Sequence, residues 1–105
     1  MIKSYALVAV AIALACAWPA AQAADPAAGQ KLFETTCAAC HGQNGISVLP
    51  MYPNLAGQKM EYLTAQLKAF RDGTRVNPIM NPMAKGLSDT DIANLALYLS
   101  TLKPQ

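Results

Sequence analysis

Apolar residues recur at helical spacing in two stretches of the chain. In the first, residues 58–72, they stand three or four positions apart: Met60, Leu63, Leu67 and Phe70. In the second, residues 88–103, they continue along one face: Ile92, Leu95, Ala96, Leu99 and Leu102. These intervals place side chains on one side of an α-helix, so both stretches are predicted helices that bury one face. Gly73 directly follows the first stretch and is suited to ending a helix.

Capping signals set the remaining helix ends. Ser88-x-x-Asp91 is a variant of the capping box, in which the serine oxygen accepts a free N–H and the acid reaches back. The second helix is expected to stop before Pro104. Asp25 followed by proline predicts the start of a third helix over residues 26–36, because the aspartate oxygen can accept N–H groups of the first turn.

Two long segments have no sustained hydrophobic period. Residues 42–57 and 74–87 carry turn dipeptides such as Asn44-Gly45 and Asn77-Pro78, and proline blocks continuation of a helix. No alternating strand pattern appears after residue 24. The predicted fold class is therefore all-α, with three main helices and long loops.

The N-terminal segment differs physically from the rest of the chain. Lys3 is followed by residues 6–18, which carry no charged or polar side chain, and then by Ala21-Gln22-Ala23. A short basic head, an apolar stretch and an A-x-A site are the parts of a secretory signal peptide. We therefore predict a leader over residues 1–23, a domain over residues 24–105 and export to the periplasm. An uncleaved N-terminal anchor and a lipid anchor on Cys16 are the two alternatives.

The charge and size of residues 24–105 limit the classes of function that this segment can have. This segment has 82 of the 105 residues, with seven basic and six acidic side chains. Such a weak, evenly spread charge argues against a nucleic-acid partner. No transmembrane segment is predicted in it. About 30 of its residues lie in loops, and domains this small commonly need a disulfide, a metal or another staple.

The chemistry-bearing residues are concentrated in one motif. Cys37-Ala38-Ala39-Cys40-His41 reads C-x-x-C-H, the attachment site of c-type haem. Two thiols at this spacing can add to the two vinyl groups of one haem, and the histidine supplies an axial iron ligand. A redox dithiol normally occurs within a βαβ pattern, which is absent here. A zinc site needs a fourth ligand, and residues 24–105 contain no other Cys or His. A disulfide between Cys37 and Cys40 would leave the small core unexplained.

With this motif the chain resembles the class I c-type cytochromes, and within them the periplasmic type whose dihaem members carry two such units. The resemblance covers residues 24–105 and rests on four runs: C-A-A-C-H-G (37–42), Y-P-N-L-A-G-Q (52–58), Y-L-x-x-Q-L-x-x-F-R-x-G (62–73) and L-S-D-x-D-I (87–92). A single C-x-x-C-H indicates a monohaem relative, equivalent to one half of a dihaem protein. The resemblance implies a small cytochrome c fold around one haem c, bound covalently through Cys37 and Cys40.

The resemblance also implies further site residues. It makes Met80, eight residues before Ser88, the second axial ligand of the iron beside His41, with Met83 in the same loop as runner-up. The carbonyl of Pro53 matches the family's acceptor for the other N–H of the iron-bound histidine. A helix crossing carries over as well, between Gly29 and Phe33 on the first helix and Leu95 and Tyr98 on the last.

The expected function is that of a soluble one-electron carrier, cycling Fe(III) and Fe(II) in a bacterial periplasmic respiratory chain. Two axial protein ligands leave no open iron position, so an enzyme is not expected. The expected partners are redox donors and acceptors that bind transiently, and the expected state is a monomer. One alternative is a haem-bearing subunit of a membrane or dehydrogenase complex. Another is a haem enzyme or gas sensor, which would need a vacant iron position.

Overall fold

The computed structural model describes residues 2–12 and 23–105. Residues 2–12 are exposed and have no regular secondary structure. Most of the predicted cleavage motif, Ala21 and Gln22, lies outside the described residues, as does Cys16 with its alternative lipid anchor. Within the two described ranges, none of the helices has the length and apolar character needed to span a membrane.

The described residues form helices, turns and loops, without a β-strand among them. The elements are α1 (Pro26–Leu32), a π-helical turn (Phe33–Cys37), α2 (Ala38–His41), α3 (Met60–Asp72), α4 (Met80–Ala84) and α5 (Asp89–Thr101). The first three follow one another without a break, so they make one N-terminal helix. The all-α class with three main helices is thereby confirmed. Two details differ from expectation: the N-terminal helix extends to His41, and the short α4 interrupts a predicted loop.

The helix ends follow the local chemistry of the sequence. The Asp25 carboxylate accepts a hydrogen bond from the backbone N–H of Ala27 at 2.9 Å. Ser88 and Asp91 form both bonds of the capping box, each at 3.0 Å. Gly73 ends α3 in the left-handed conformation, with φ of 81°. The two side-chain caps bind backbone N–H groups that a helix start leaves free. The left-handed conformation of Gly73 permits the turn that ends α3.

The N-terminal helix widens by one residue at Phe33–Cys37. In a π turn the hydrogen bond spans five residues, and here the N–H of Ala38 donates to the carbonyl of Phe33. The Thr35 hydroxyl lies 3.0 Å from the carbonyl oxygen of Lys31 and 3.2 Å from that of Leu32. This hydroxyl gives the carbonyls at the start of the wide turn a polar partner. The turn lies between the part of the helix that packs on α5 and the C-x-x-C-H motif.

The N-terminal helix crosses α5 at Gly29. A Cβ atom there would overlap the carbonyl oxygen of Asn94, so only glycine permits this approach. The backbone N–H of Asp25 donates to Asn94 Oδ1 at 2.7 Å, which ties the start of α1 to α5. Farther along, Phe33 is fully buried and its ring centroid lies 5.8 Å from that of Tyr98. The crossing implied by the family resemblance is present in the structure.

The hydrophobic core is small for a domain of this length. Its three largest fully buried side chains are Phe33, Ile92 and Leu95. The main cluster of buried residues joins the N-terminal helix, α3 and α5: Phe33, Ala38, Leu63, Leu95, Ala96, Tyr98 and Leu99. Two of these seven are alanines, which bury little apolar area. A core of this size requires a further stabilising component, as the short length of the domain and its long loops predicted.

The crossing at Gly29 leads to a first prediction. Gly29→Ala should lower the free energy of unfolding by about 1–3 kcal/mol, because its Cβ must push the backbones of two helices apart. Gly86→Ala is the control, since no atom lies within 4 Å of its Cβ position, and a change within about 0.5 kcal/mol is expected there. Denaturant unfolding of the two holoproteins measures both. Equal stability of the two variants would show that the crossing tolerates a methyl group.

Candidate functional site

The C-x-x-C-H motif lies at the C-terminal end of the N-terminal helix. Cys37 ends the π turn, and Cys40 and His41 belong to α2. Gly42 follows with φ of 83°, and a Cβ there would overlap the carbonyl oxygen of Ile46. This glycine ends the helix directly after the motif and allows the next loop to fold back against it. Both cysteines are free thiols and half-buried.

His41 is held by the loop that follows the motif. Its side chain is buried, and Nδ1 lies 2.9 Å from the carbonyl oxygen of Pro53. A carbonyl oxygen can only accept, so this bond requires a proton on Nδ1 and leaves the lone pair on Nε2. That tautomer is the one in which a neutral imidazole binds a metal through Nε2. The structure thus brings His41 and Pro53 together, and the ring of Tyr52 packs nearby with centroids 6.3 Å apart.

The Cys37 thiol is electrostatically unlike that of a redox dithiol. Burial raises the pKa of Cys37 to about 11, and the neighbouring Cys40 contributes in the same direction. Thiol–disulfide exchange proceeds through the thiolate, and cysteines used for it have lowered pKa values. This shift in the pKa of Cys37 is opposite in direction to the one that a redox dithiol needs. A half-buried sulfur is compatible with a thioether link.

The two candidate methionine ligands both lie in α4 but differ in exposure. Met80 is the first residue of α4 and is half-buried. Its backbone N–H donates to Asn77 Oδ1 at 2.9 Å, so a side chain of the preceding turn holds its main chain. Met83 is 42% exposed, and Met51 in the preceding loop is 74% exposed. Met80 is the least exposed of these three methionines, so its thioether is the best suited to act as a buried iron ligand.

The side chains of Asn77 and Asn81, which no sequence motif singled out, organise the segment before and within α4. Asn77 Oδ1 accepts from the N–H groups of Ile79 and Met80, both at 2.9 Å. Asn77-Pro78 indicates a turn, and these two bonds lie in the turn that leads into α4, since Ile79 directly precedes the first residue of the helix. Nothing local indicates the longer contacts of Asn81.

The donor set matches what a c-type haem requires of its protein. Two thiols and one imidazole lie within a single helical segment, and the imidazole has its outer nitrogen engaged by Pro53. A thioether is available in α4, the short helix that precedes the last helix. The small core also leaves a need for a large apolar group among the helices. The residues present therefore fit a covalently attached haem.

Comparison with known proteins agrees with this donor set. The family model described as Cytochrome c matches residues 26–103. Cytochrome c-554(548) of Halomonas halodenitrificans is 50% identical over 82 residues, which cover 75% of this chain and 98% of that protein. The thiosulfate dehydrogenase electron acceptor of Thiomonas intermedia is 44% identical over 93 residues, covering 88% of this chain and 41% of that one.

Solved structures show the same fold. The structure of Acidithiobacillus ferrooxidans cytochrome c4 superposes with a TM-score of 0.72 at 35% identity, over 80% of this chain and 53% of the c4 chain. The chain thus spans nearly all of the Halomonas protein and about half of the c4 structure. These values agree with an equivalence to one half of a c4-type cytochrome.

Proposed function

Since this chain belongs to the cytochrome c family, we propose that it is a soluble carrier of single electrons in which His41 and Met80 hold the haem iron. The family membership itself establishes a covalently bound haem c, attached at Cys37 and Cys40, and the role of electron carrier. The observation that carries the ligand assignment is the pairing of a buried His41, hydrogen-bonded to the Pro53 carbonyl, with a half-buried Met80 whose backbone N–H donates to Asn77 Oδ1.

Each proposed ligand has a separate source of order. Pro53 fixes the ring orientation of His41 and keeps the proton on Nδ1, which leaves Nε2 for the iron. The thioether of Met80 is a soft, neutral donor that suits low-valent iron. The haem supplies a reversible change between Fe(III) and Fe(II), and methionine–histidine ligation raises its reduction potential. With His41 and Met80 as its ligands, the iron would keep no position for a substrate, and the protein would transfer electrons only.

We place this activity in the periplasm. Residues 1–23 have the charge, apolar stretch and A-x-A site of a secretory leader, and cleavage after Ala23 would leave the domain over residues 24–105. The first residues retained begin the cap of α1, because Asp25 bonds both Ala27 and Asn94. A leader removed at this point leaves every described contact of the helical domain in place.

An absorption spectrum of the exported protein tests the proposal. The reduced protein in alkaline pyridine should show the band position of a haem with two saturated thioether links. The oxidised protein should show the weak sulfur-to-iron band of methionine ligation. A band position typical of unmodified vinyl groups would contradict covalent attachment. A spectrum without the sulfur-to-iron band would instead support an enzyme or sensor with an open iron position.

The charge distribution predicts how the protein meets its partners. Residues 24–105 are close to neutral, and Arg71 is paired with Asp72 at 2.9 Å and Asp89 at 2.7 Å. The Arg71 guanidinium also lowers the pKa of the Asp89 carboxyl, so this positive charge is neutralised locally. The two loops that carry the proposed ligand contacts expose apolar side chains: Val48, Leu49, Met51, Val76, Ile79 and Met83. We propose that these loops form a small apolar docking patch for weak, fast redox encounters.

The rate of electron self-exchange between oxidised and reduced protein tests whether the docking patch is apolar. Its second-order rate should change less than about threefold between low and physiological salt, whereas electrostatic steering changes such rates by about 10- to 1,000-fold. Met51→Lys, in the patch, should slow exchange and make it salt-dependent; Gln105→Lys, which adds the same charge at the C-terminus, should not. A steep salt dependence in the unmodified protein would instead indicate steering by charged side chains such as Lys59, Lys68 and Arg75.

A second candidate is a more permanent association with a dehydrogenase. It is favoured by the 44% identity to a protein named as the electron acceptor of thiosulfate dehydrogenase. In that role the chain would still carry one electron, but from a stably bound enzyme. Purification from periplasmic extract separates the two: a free carrier elutes at its own mass, and a subunit co-elutes with a larger redox enzyme.

A further inference from the structure

The side-chain amide of Asn81 joins three separate parts of the backbone. Its Nδ2 donates to the carbonyl of Phe70 at 2.8 Å and to that of Arg75 at 2.9 Å. Its Oδ1 accepts from the N–H of Asn77 at 2.6 Å. Both of its N–H groups and its carbonyl oxygen are thus used, and every partner is a main-chain atom. An asparagine at this position fixes the course of the chain from the end of α3 to the start of α4.

The bonds of Asn81 continue to the proposed iron ligand. Asn77, which donates its N–H to Asn81, accepts from the N–H of Met80 through its own side chain. The backbone N–H of Asn81 in turn donates to the carbonyl of Asn77 at 3.0 Å. A connected set of hydrogen bonds therefore runs from Phe70 in α3, through Asn81 and Asn77, to the main chain of Met80.

Besides these bonds, Arg75 also holds the segment to α3, because its backbone N–H donates to the carbonyl of Ala69 at 3.1 Å and its guanidinium donates to Gln66 Oε1 at 2.7 Å, but few apolar side chains of the segment are buried. The residues from Thr74 to Val76 are exposed, as are Pro78 and Ile79, and within α4 only Ala84 is buried. By contrast, α3 is anchored through Leu63 and Leu67, which belong to or pack against the main hydrophobic cluster. Segments with few buried apolar contacts open locally at low free energy. The amide of Asn81 links the weakly packed segment to the well-packed helix.

We propose that Asn81 is the positioning residue that keeps Met80 on the iron. This inference rests on the proposed function, in which Met80 is the axial ligand. The amide holds the segment before α4 against the end of α3, and so limits the fraction of molecules in which the thioether has left the iron. A ligand that competes with Met80 binds only those molecules, so its apparent affinity reports their fraction directly.

The test is imidazole binding to the oxidised holoprotein, followed together with the sulfur-to-iron band. Asn81→Ala should bind imidazole at least about tenfold more tightly than the unmodified protein, since three hydrogen bonds restraining the segment are lost. Asn77→Ala, which removes only the link to Met80 and Ile79, should show an increase in the same direction. If Asn81→Ala yields too little holoprotein, Asn77→Ala provides the test in its place.

Asn94→Ala is the matched control for general destabilisation. Asn94 is also an asparagine whose side chain binds main-chain atoms, but it anchors the start of α1 to α5. This variant should lower thermal stability while leaving the imidazole affinity within about twofold, because its site does not share partners with Asn81. An equal rise in affinity in Asn94→Ala and Asn81→Ala would show that Asn81 acts only through overall stability, and would overturn the proposal.

The experiment also separates this inference from the ligand assignment. If Met80→Ala keeps the sulfur-to-iron band, Met80 is not the ligand and the assignment on which the inference rests is wrong. If Met80→Ala loses the band but Asn81→Ala and Asn77→Ala bind imidazole as weakly as the unmodified protein, the assignment stands. In that case the positioning role of Asn81 is refuted.

Discussion

Replacing either Cys37 or Cys40 with serine should sharply reduce the yield of holoprotein and leave an apoprotein that is largely unfolded. Three large side chains, Phe33, Ile92 and Leu95, are fully buried among the described residues, and two members of the main cluster are alanines. A single core in a domain of this size supplies only about 3–5 kcal/mol. Loss of the haem removes the apolar surface on which the helices pack, so the free energy of unfolding should fall to near zero.

Circular dichroism and limited proteolysis of the apoprotein measure this effect. Ala39→Ser is the matched control, because it places the same hydroxyl on the exposed residue between the two cysteines and keeps both thiols. It should give normal holoprotein with near-native stability. A cooperative, protease-resistant apoprotein in Cys37→Ser would show that the polypeptide folds without the haem, and the core deficit would need another explanation.

The second large effect concerns the axial ligand. Met80→Ala should abolish the sulfur-to-iron band and lower the reduction potential by on the order of 0.2 V, within the range of about 0.8 V over which axial ligands tune haem proteins. The reason is that methionine ligation favours the ferrous state. The vacated position should also accept exogenous ligands such as imidazole. Visible spectroscopy and redox titration of the purified protein measure these changes.

Met83→Ala provides the comparison within the same helix. Met83 is 42% exposed and lies three residues after Met80 in α4. Its substitution should leave the spectrum and potential nearly unchanged. The opposite pattern would make Met83 the ligand, and persistence of the sulfur-to-iron band in both single variants would refute the assignment of the ligand to this loop.

The features that could be predicted from the sequence depend on residues close together in the chain. The capping box of Ser88 and Asp91 spans three positions, and Asp25 caps α1 two positions ahead. Gly73 ends α3 where the apolar period stops. The C-x-x-C-H motif is equally local. Each is fixed by the stereochemistry of one turn, so the sequence contains the whole signal.

Two of the features that were missed depend on long contacts or on a change of helical pitch. Asn81 bonds Phe70 eleven positions earlier, and no local pattern indicates that pairing. The N-terminal helix was expected over residues 26–36. In the structure it continues to His41 through a π turn, and the two thiols lie on its final turns. Pro53 was found through family resemblance alone, since its contact with His41 spans twelve positions.

The π turn makes the number of residues, as well as their identity, a condition for haem attachment. Each residue of an α-helix rotates the chain by about 100°, so inserting one residue between Gly29 and Cys37 would swing the thiols and His41 around the axis by about that angle. A single deletion would instead be taken up by the π turn, which holds one residue more than an α-helical turn. Gly29 would remain locked against α5 by its contact with Asn94, so the helix could not rotate as a whole to compensate for an insertion. Relatives with this attachment geometry should therefore tolerate substitutions in the exposed positions of this segment, such as Glu34 and Thr35, far better than an insertion.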